Sequence, residues 1–326
     1  MRAQAVRPGL LALCVSCALT CRAAGSTTFA VYDLYNLVQI ESGEGHYALW
    51  AYVQGSYAFV GQFNSDTDEQ HMRDPNTGDR FSSFTTDADL TAAALLLVTV
   101  EPGNSTHATP STHHLMAGDV ISGAALMNPS HPAALGLEYS SASGNFVLDT
   151  PTTPAETDFS SGVWFLNPGL VDGPGLQLPL LPSGWIYESW VADAGSTDPI
   201  PMSMGEFADP TTPDINGAGG GAGTGQAPGF PGQDFIYTYE DQPVMPNLAK
   251  GEWTLVISIE PSPNTGPSPF HSLEPLIVSA VQKTARREPQ TLGNNSNVFP
   301  SMTVKITDST PVTASTWGQI KSLYHR

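Results

Sequence analysis

Asp74, Asn76 and Asp79, grouped around Gly78, set oxygen ligands at alternate positions of one short turn, a spacing that calcium loops use. Asp209, Asp214 and Asn216 make a second oxygen-rich stretch. Calcium takes about six to eight oxygens, and an EF-hand loop closes with a bidentate Glu. Neither stretch supplies that set, and turn chemistry alone gathers Asp, Asn and Gly. Calcium at Asp74, Asn76 and Asp79 is therefore the one candidate cofactor. His107, His113, His114 and His131 share a loop-rich region and could ligate a transition metal. Their spacing matches no compact ligand motif, so solvated loop histidines are expected. Glu101 and Glu260 could be offered as catalytic acids, but each precedes a Pro in matching surroundings. The expectation is structural, with each carboxylate accepting backbone hydrogen bonds at a strand end. One protein seldom needs the same catalyst twice. No Gly-x-Ser-x-Gly elbow, His-Glu-x-x-His helix or Gly-x-x-x-x-Gly-Lys loop is present. No catalytic residue is assigned.

The elements that must position these residues come as an internal repeat. The first copy runs Tyr47-Ala-Leu-Trp50, Gly61-Gln-Phe63, then Val98-Thr-Val-Glu101-Pro102. The second runs Tyr187-Glu-Ser-Trp190, Gly205-Glu-Phe207, then Ile257-Ser-Ile-Glu260-Pro261. Upstream, Phe29 to Leu34 matches Val163 to Leu166 as an opening strand. Landmarks in one order predict duplication. Residues 47–53, 185–192 and 254–259 alternate or carry aromatics as strands do. The Ala/Leu-rich run 92–100 favours helix by propensity, but its match to 255–259 predicts strand. The Pro after each Glu lacks the N–H that a ladder needs and should end the strand. Side chains at i and i+3 of a strand face opposite ways, so the Tyr and Trp of each pair should serve different surfaces, in core or interface packing.

The expected architecture is all-β, two tandem β-sandwich-like domains related by internal duplication. The first covers 26–135 and the second 136–283, with a Gly-rich insertion over 209–232 expected to be a flexible surface loop. Residues 284–326 form a C-terminal extension outside the repeat, with an extended piece over 302–306 and a short helix over 316–324. The Gly run 217–225 follows Pro-Asp rather than a strand and precedes Pro rather than a helix, so it is no nucleotide loop.

Residues 1–25 have the form of a signal peptide: Arg2 and Arg7, an apolar core from Leu10 to Thr20, then small residues at 23–25. That core is too short to span a bilayer. Cys14, Cys17 and Cys21 all lie within it, so the mature chain offers no disulfide or thiolate. A lipid anchor at Cys17 or Cys21 is a weaker alternative, because the preceding residues fit a lipobox poorly. Without Arg2, Arg7 and Arg22, nine cationic side chains of the original 12 face 31 acids, a formal charge of −22. No Lys or Arg occurs between Phe81 and Ala249. Nucleic acids and anionic lipid surfaces require the opposite sign. The expected location is extracytoplasmic.

The series Tyr-x-x-Trp, Gly-x-Phe and Val-Thr-Val-Glu-Pro, with Leu181-Pro-Ser-Gly184 leading into the second copy, resembles the C-terminal domain of anti-sigma-K factors. The resemblance covers much of 27–117 and 161–281. It implies a β-sandwich-like domain on the outer side of a membrane. The chain lacks that family's cytoplasmic sigma-binding domain and membrane-spanning helix, so the resemblance speaks to fold more than to sigma-factor inhibition. The expected role is non-catalytic: binding, sensing or envelope structure, with a protein or envelope partner contacted through the 209–232 loop. The alternatives are a secreted hydrolase with an assembled carboxylate pair, or an accessory regulator of a membrane anti-sigma system.

Overall fold

The computed structural model describes residues 25–40, 43–66, 68, 70–154, 157–195, 201–237, 246–263 and 273–309. The expected signal peptide (apart from Gly25) and the helix expected over 316–324 lie outside these residues. The described chain is all-β, with three short 3-10 turns and no α-helix. No helix among the described residues is long and apolar enough to cross a membrane.

The first half contributes β1 (Ser26–Tyr35), β2 (His46–Val53), β3 (Ser56–Ser65), the short β4 (Met72–Arg73) and β5 (Arg80–Phe81), β6 (Ser83–Thr86), β7 (Leu95–Glu101), β8 (His114–Asp119) and β9 (Ala124–Met127). β2 and β3 form a hairpin whose two turn residues, Gln54 and Gly55, both have positive φ. That geometry matches the right-handed twist of the flanking strands. The sheet runs β5-β4-β3-β2-β7-β8. β7 is strand despite its Leu-rich composition because both its faces are covered: Leu96, Val98 and Val100 enter the main core, and Leu97 packs on the other side with Trp50. Packing overrides helix propensity here.

The second half contributes β10 (Ser143–Leu148), β11 (Gly162–Trp164), β12 (Leu166–Asn167), β13 (Gly173–Pro174), β14 (Leu176–Gln177), β15 (Trp185–Asp193), β16 (Met202–Phe207), β17 (Gly232–Asp234), β18 (Trp253–Pro261), β19 (Leu276–Val278) and β20 (Gln290–Asn294). A last strand, β21 (Ser301–Ser309), ends the described chain. The order β16-β15-β18-β19 repeats β3-β2-β7-β8, and the order β17-β11-β10-β20 repeats β6-β1-β21-β9. The registers agree as well. Tyr47 lies opposite Phe63 and Val100, and Tyr187 lies opposite Phe207 and Ile259.

The two orders differ in where one strand comes from. β10 precedes β11 directly in sequence, whereas its counterpart beside β1 is β21, from the far end of the chain. Ser26 pairs with Ser309 and Tyr35 with Ser301, and β21 pairs with β9 along its other edge. The segment expected to lie outside the repeat therefore supplies β20 and β21 to these sheets. Buried apolar residues from Phe29 to Ile306 form one contiguous cluster through both halves.

Candidate functional site

The repeated residues converge on one arrangement, present in each half. Trp50 Nε1 donates to Thr99 Oγ1 (2.9 Å), and Thr99 Oγ1 donates to Glu101 Oε1 (2.6 Å). Trp190 Nε1 donates to Ser258 Oγ (2.9 Å), and Ser258 Oγ donates to Glu260 Oε1. The tyrosines turn the other way, into the main core. Tyr47 packs on Phe63 and Tyr187 on Phe207, each at a ring separation of 5.5 Å. Their hydroxyls donate to backbone carbonyls, Tyr47 to Val38 at 2.8 Å and Tyr187 to Pro179 at 2.6 Å. The expected division of Tyr and Trp between opposite faces holds for the first pair: Tyr47 joins the large cluster and Trp50 a smaller one. The glycines of Gly-x-Phe sit beside irregular pairings in β3 and β16. A Cβ on Gly61 would lie 2.3 Å from the Phe84 ring, and Gly205 has φ of +110°. A side chain would have to displace the Phe84 ring at the first position and would strain the backbone at the second.

Glu101 is buried and does more than end a strand. It accepts the Ser111 backbone N–H (2.9 Å) and the Ser105 hydroxyl (2.9 Å), so it pins both arms of the 102–111 loop. Within that loop His107 stacks on Phe59 at 4.3 Å, and its Nε2 lies 2.7 Å from Nε2 of His46. The four histidines singled out from the sequence do not converge. His114 Nδ1 meets the Ala133 carbonyl at 2.8 Å, His131 approaches Asp119 at 3.5 Å, and His113 packs on Trp185. The partner of His107 is His46, which no spacing signal marked.

Asp74, Asn76 and Asp79 form a hydrogen-bonded turn. Asp74 Oδ1 accepts from the backbone N–H of Asn76 (2.7 Å) and Thr77 (3.3 Å), and the Asp74 N–H donates to the Asp79 carbonyl (2.9 Å). Nearby, Asp66, Asp68 and His71 bring their ligand atoms within 4.8 Å of one another. The two carboxylates of that trio are already paired with arginines. Arg80 reaches Asp66 and Asp68, and Arg73 Nε donates to Asp66 Oδ1 at 2.7 Å. Both arginines oppose a metal ion there. Asp66 and Asp74 also line an open cavity of about 450 Å³ with Arg73, Asn64 and Asn76. In the second stretch Asp209 caps its own turn through Thr211 (2.8 Å). Asp214 is buried, accepts the Gly232 N–H at 2.9 Å, and is pushed up to about 7 by desolvation.

The insertion over 209–232 is not the loose loop its composition suggests. Gly225 N donates to the Thr152 carbonyl (2.7 Å), and Gly223 N donates to Thr152 Oγ1 (2.7 Å). Ala218, Ala227 and Phe230 pack against buried Val147, Trp164 and Leu166. A Cβ on Gly223 would stand 2.3 Å from the Thr152 carbonyl oxygen. Here glycine allows close backbone approach rather than flexibility. Asp234, on β17 just past the insertion, is fully buried and accepts from Trp164 Nε1 (2.8 Å) and Thr152 N (3.0 Å).

One carboxylate pair was missed in the sequence. Glu188 on β15 and Glu260 on β18 are both buried. Glu188 is pushed up to about 7, first by desolvation and then by the charges of Glu260 and Glu206, with the Ser203 hydroxyl opposing. Family models, curated proteins and solved structures give no match to this chain.

Proposed function

We propose that the chain is an exported, non-catalytic binding or sensing protein whose two halves are copies of a domain resembling the external domain of anti-sigma-K factors. The Trp–hydroxyl–Glu relay carries this reading. It occupies the same place in both halves, and in the first it fastens a loop to the sheet. The repeat markers spend their side chains on holding strands and loops, as a scaffold does. The acidic surface and the cation-poor middle of the chain disfavour nucleic acid and anionic lipid as partners. Contacts on such scaffolds fall to protruding loops. Leu170 and Val171, at the tip between β12 and β13, and Ile215 in the insertion are fully or largely exposed apolar side chains.

Two measurements test this. Expression of the full chain followed by fractionation and N-terminal sequencing should find a product starting near residue 26 outside the cytoplasm. An intact N-terminus retained in the cytoplasm overturns export. Replacing Leu170, Val171 and Ile215 together with Asp should abolish capture of an envelope partner without changing thermal stability, whereas unchanged capture removes these tips as the contact. Glu188 beside Glu260 favours the hydrolase reading on electrostatic grounds, since a carboxyl raised by burial next to a second carboxyl is the setting of a general acid. Hydrolysis of a glycan or peptide panel, abolished by Glu188→Gln in a folded protein, would establish that reading instead.

A further inference from the structure

The contact between His46 and His107 is the feature that the scaffold reading leaves unused. His46 begins β2 and is 6 % exposed. His107 lies in the 102–111 loop with φ of +53°, a left-handed conformation uncommon outside Gly and adopted most readily by Asn, Asp and His. Its ring is held between Phe59, stacked at 4.3 Å, and His46, edge-on at 4.9 Å, with Trp50 6.4 Å away. The loop is thus fixed at three points: Ser105 and Ser111 by Glu101, and His107 by the second imidazole. Beneath it Trp50 is 1 % exposed.

Two imidazole Nε2 atoms at 2.7 Å can bond only when one carries a hydrogen and the other presents a lone pair. A neutral pair satisfies this, and so does a pair carrying one extra proton. A doubly charged pair does not: two N–H groups face each other and two cations come into contact. We propose that His46 and His107 form a proton-operated latch, closed over Trp50 while the two rings share a hydrogen bond and sprung open when both become charged.

The surroundings favour the closed, uncharged form. Burial is the largest influence on both rings and lowers both; His107 lowers His46 further. Glu101 is the one charged group set against the pair among the described residues, and it pulls both the other way, while Phe59 from β3 and Trp50 from β2 carry no charge. A histidine whose proton affinity is depressed in the closed state stabilises that state at and above the ordinary imidazole range. The stabilisation is lost as pH falls below it. Acid therefore opens the loop, exposing Trp50 and the outer face of β2 and β7. The second half has Ile186 at the position of His46, so the device belongs to the first half alone.

The test is hydrogen exchange of the mature protein between pH 8 and pH 5, corrected for intrinsic exchange and read by mass spectrometry over residues 103–111, with β18 as internal reference. Protection of the loop should fall at least tenfold across the range while β18 stays protected. His107→Asn keeps a residue that tolerates the left-handed backbone and removes the titrating ring, so its loop protection should not vary with pH. If that variant opens the loop at every pH, His46→Gln, which leaves the loop sequence intact, decides: a flat profile supports the latch. Loop protection in the wild type that does not change with pH overturns the proposal. So does a pH profile surviving both substitutions, or loss of β18 protection in step with the loop.

Discussion

Replacing Glu101 with Ala separates a structural from a catalytic use of the repeated carboxylate. The substitution removes the acceptor for three hydrogen bonds, from Thr99, Ser105 and Ser111, at 2.6, 2.9 and 2.9 Å. A hydrogen bond to a charged acceptor is worth about 1.5–3 kcal/mol. Two offsets apply: the hydroxyls of Thr99 and Ser105 can rotate to other acceptors, and loss of a buried carboxylate relieves its desolvation. The net expectation is a loss of about 3 kcal/mol. For a unit of this size that corresponds to roughly 6–12 °C in Tm. Glu101→Gln retains one acceptor oxygen and should lose about 1 kcal/mol. Urea unfolding followed by Trp emission measures both, because Trp50 reports directly on the relay. A Glu101→Ala protein within about 0.5 kcal/mol of the parent would refute the reasoning, since uninvolved surface positions give such values.

Glu188→Gln should stabilise the protein at pH 8 by about 1–3 kcal/mol and leave it nearly unchanged at pH 4. The sign follows from a carboxyl raised in the folded state: the unfolded chain ionises first, so stability is lost as pH rises from the ordinary carboxylate range to about 7. Equal pH dependence in both proteins would contradict it. Gly223→Ala, which drives a Cβ into the Thr152 carbonyl, should cost about 2 kcal/mol or more by chemical unfolding. Gly217→Ala, where space is open and only φ of +63° resists, should cost about 1 kcal/mol. Similar small values at both sites would restore the flexible-loop reading. Millimolar calcium should leave Tm within about 1 °C of its value in EDTA, because Asp74 is occupied by its own turn and Arg80 by Asp66 and Asp68. A site filled a hundredfold above Kd would instead add about 2.7 kcal/mol, and an increase of that size abolished by Asp74→Asn would establish the metal.

Period-2 alternation was enough to read β2, β15 and β18, and even the opposed directions of Tyr47 and Trp50, because strand geometry dictates them locally. The Glu-Pro pairs likewise marked strand ends: β7 stops at Glu101, and β18 takes in Pro261 only as its last residue. What could not be read was long-range choice. Alternation makes Met302 to Ile306 a strand but carries no information that its partner is β1. The glycines at 223 and 225 have the composition of a linker; only the position of Thr152 turns them into packing residues. His46 gave no signal because its chemistry depends on a loop sixty residues away. The trio of Asp66, Asp68 and His71 was equally silent, and two arginines already reach its carboxylates.

The position of β21 inverts the usual order of assembly. A ribosome or an export channel delivers the chain N-terminus first, yet the half encoded first lacks its central strand until residue 309 has emerged. β10 to β20 are contiguous and can close on themselves, so the later half can be finished before the earlier one. Until then β1 and β9 each present an unpaired edge, and closing the sheet joins residues at opposite ends of the chain, the slowest kind of contact to form. A chain cut short anywhere before Ser301 would leave the facing edges of β1 and β9 without the strand that joins them, open to pairing with other chains.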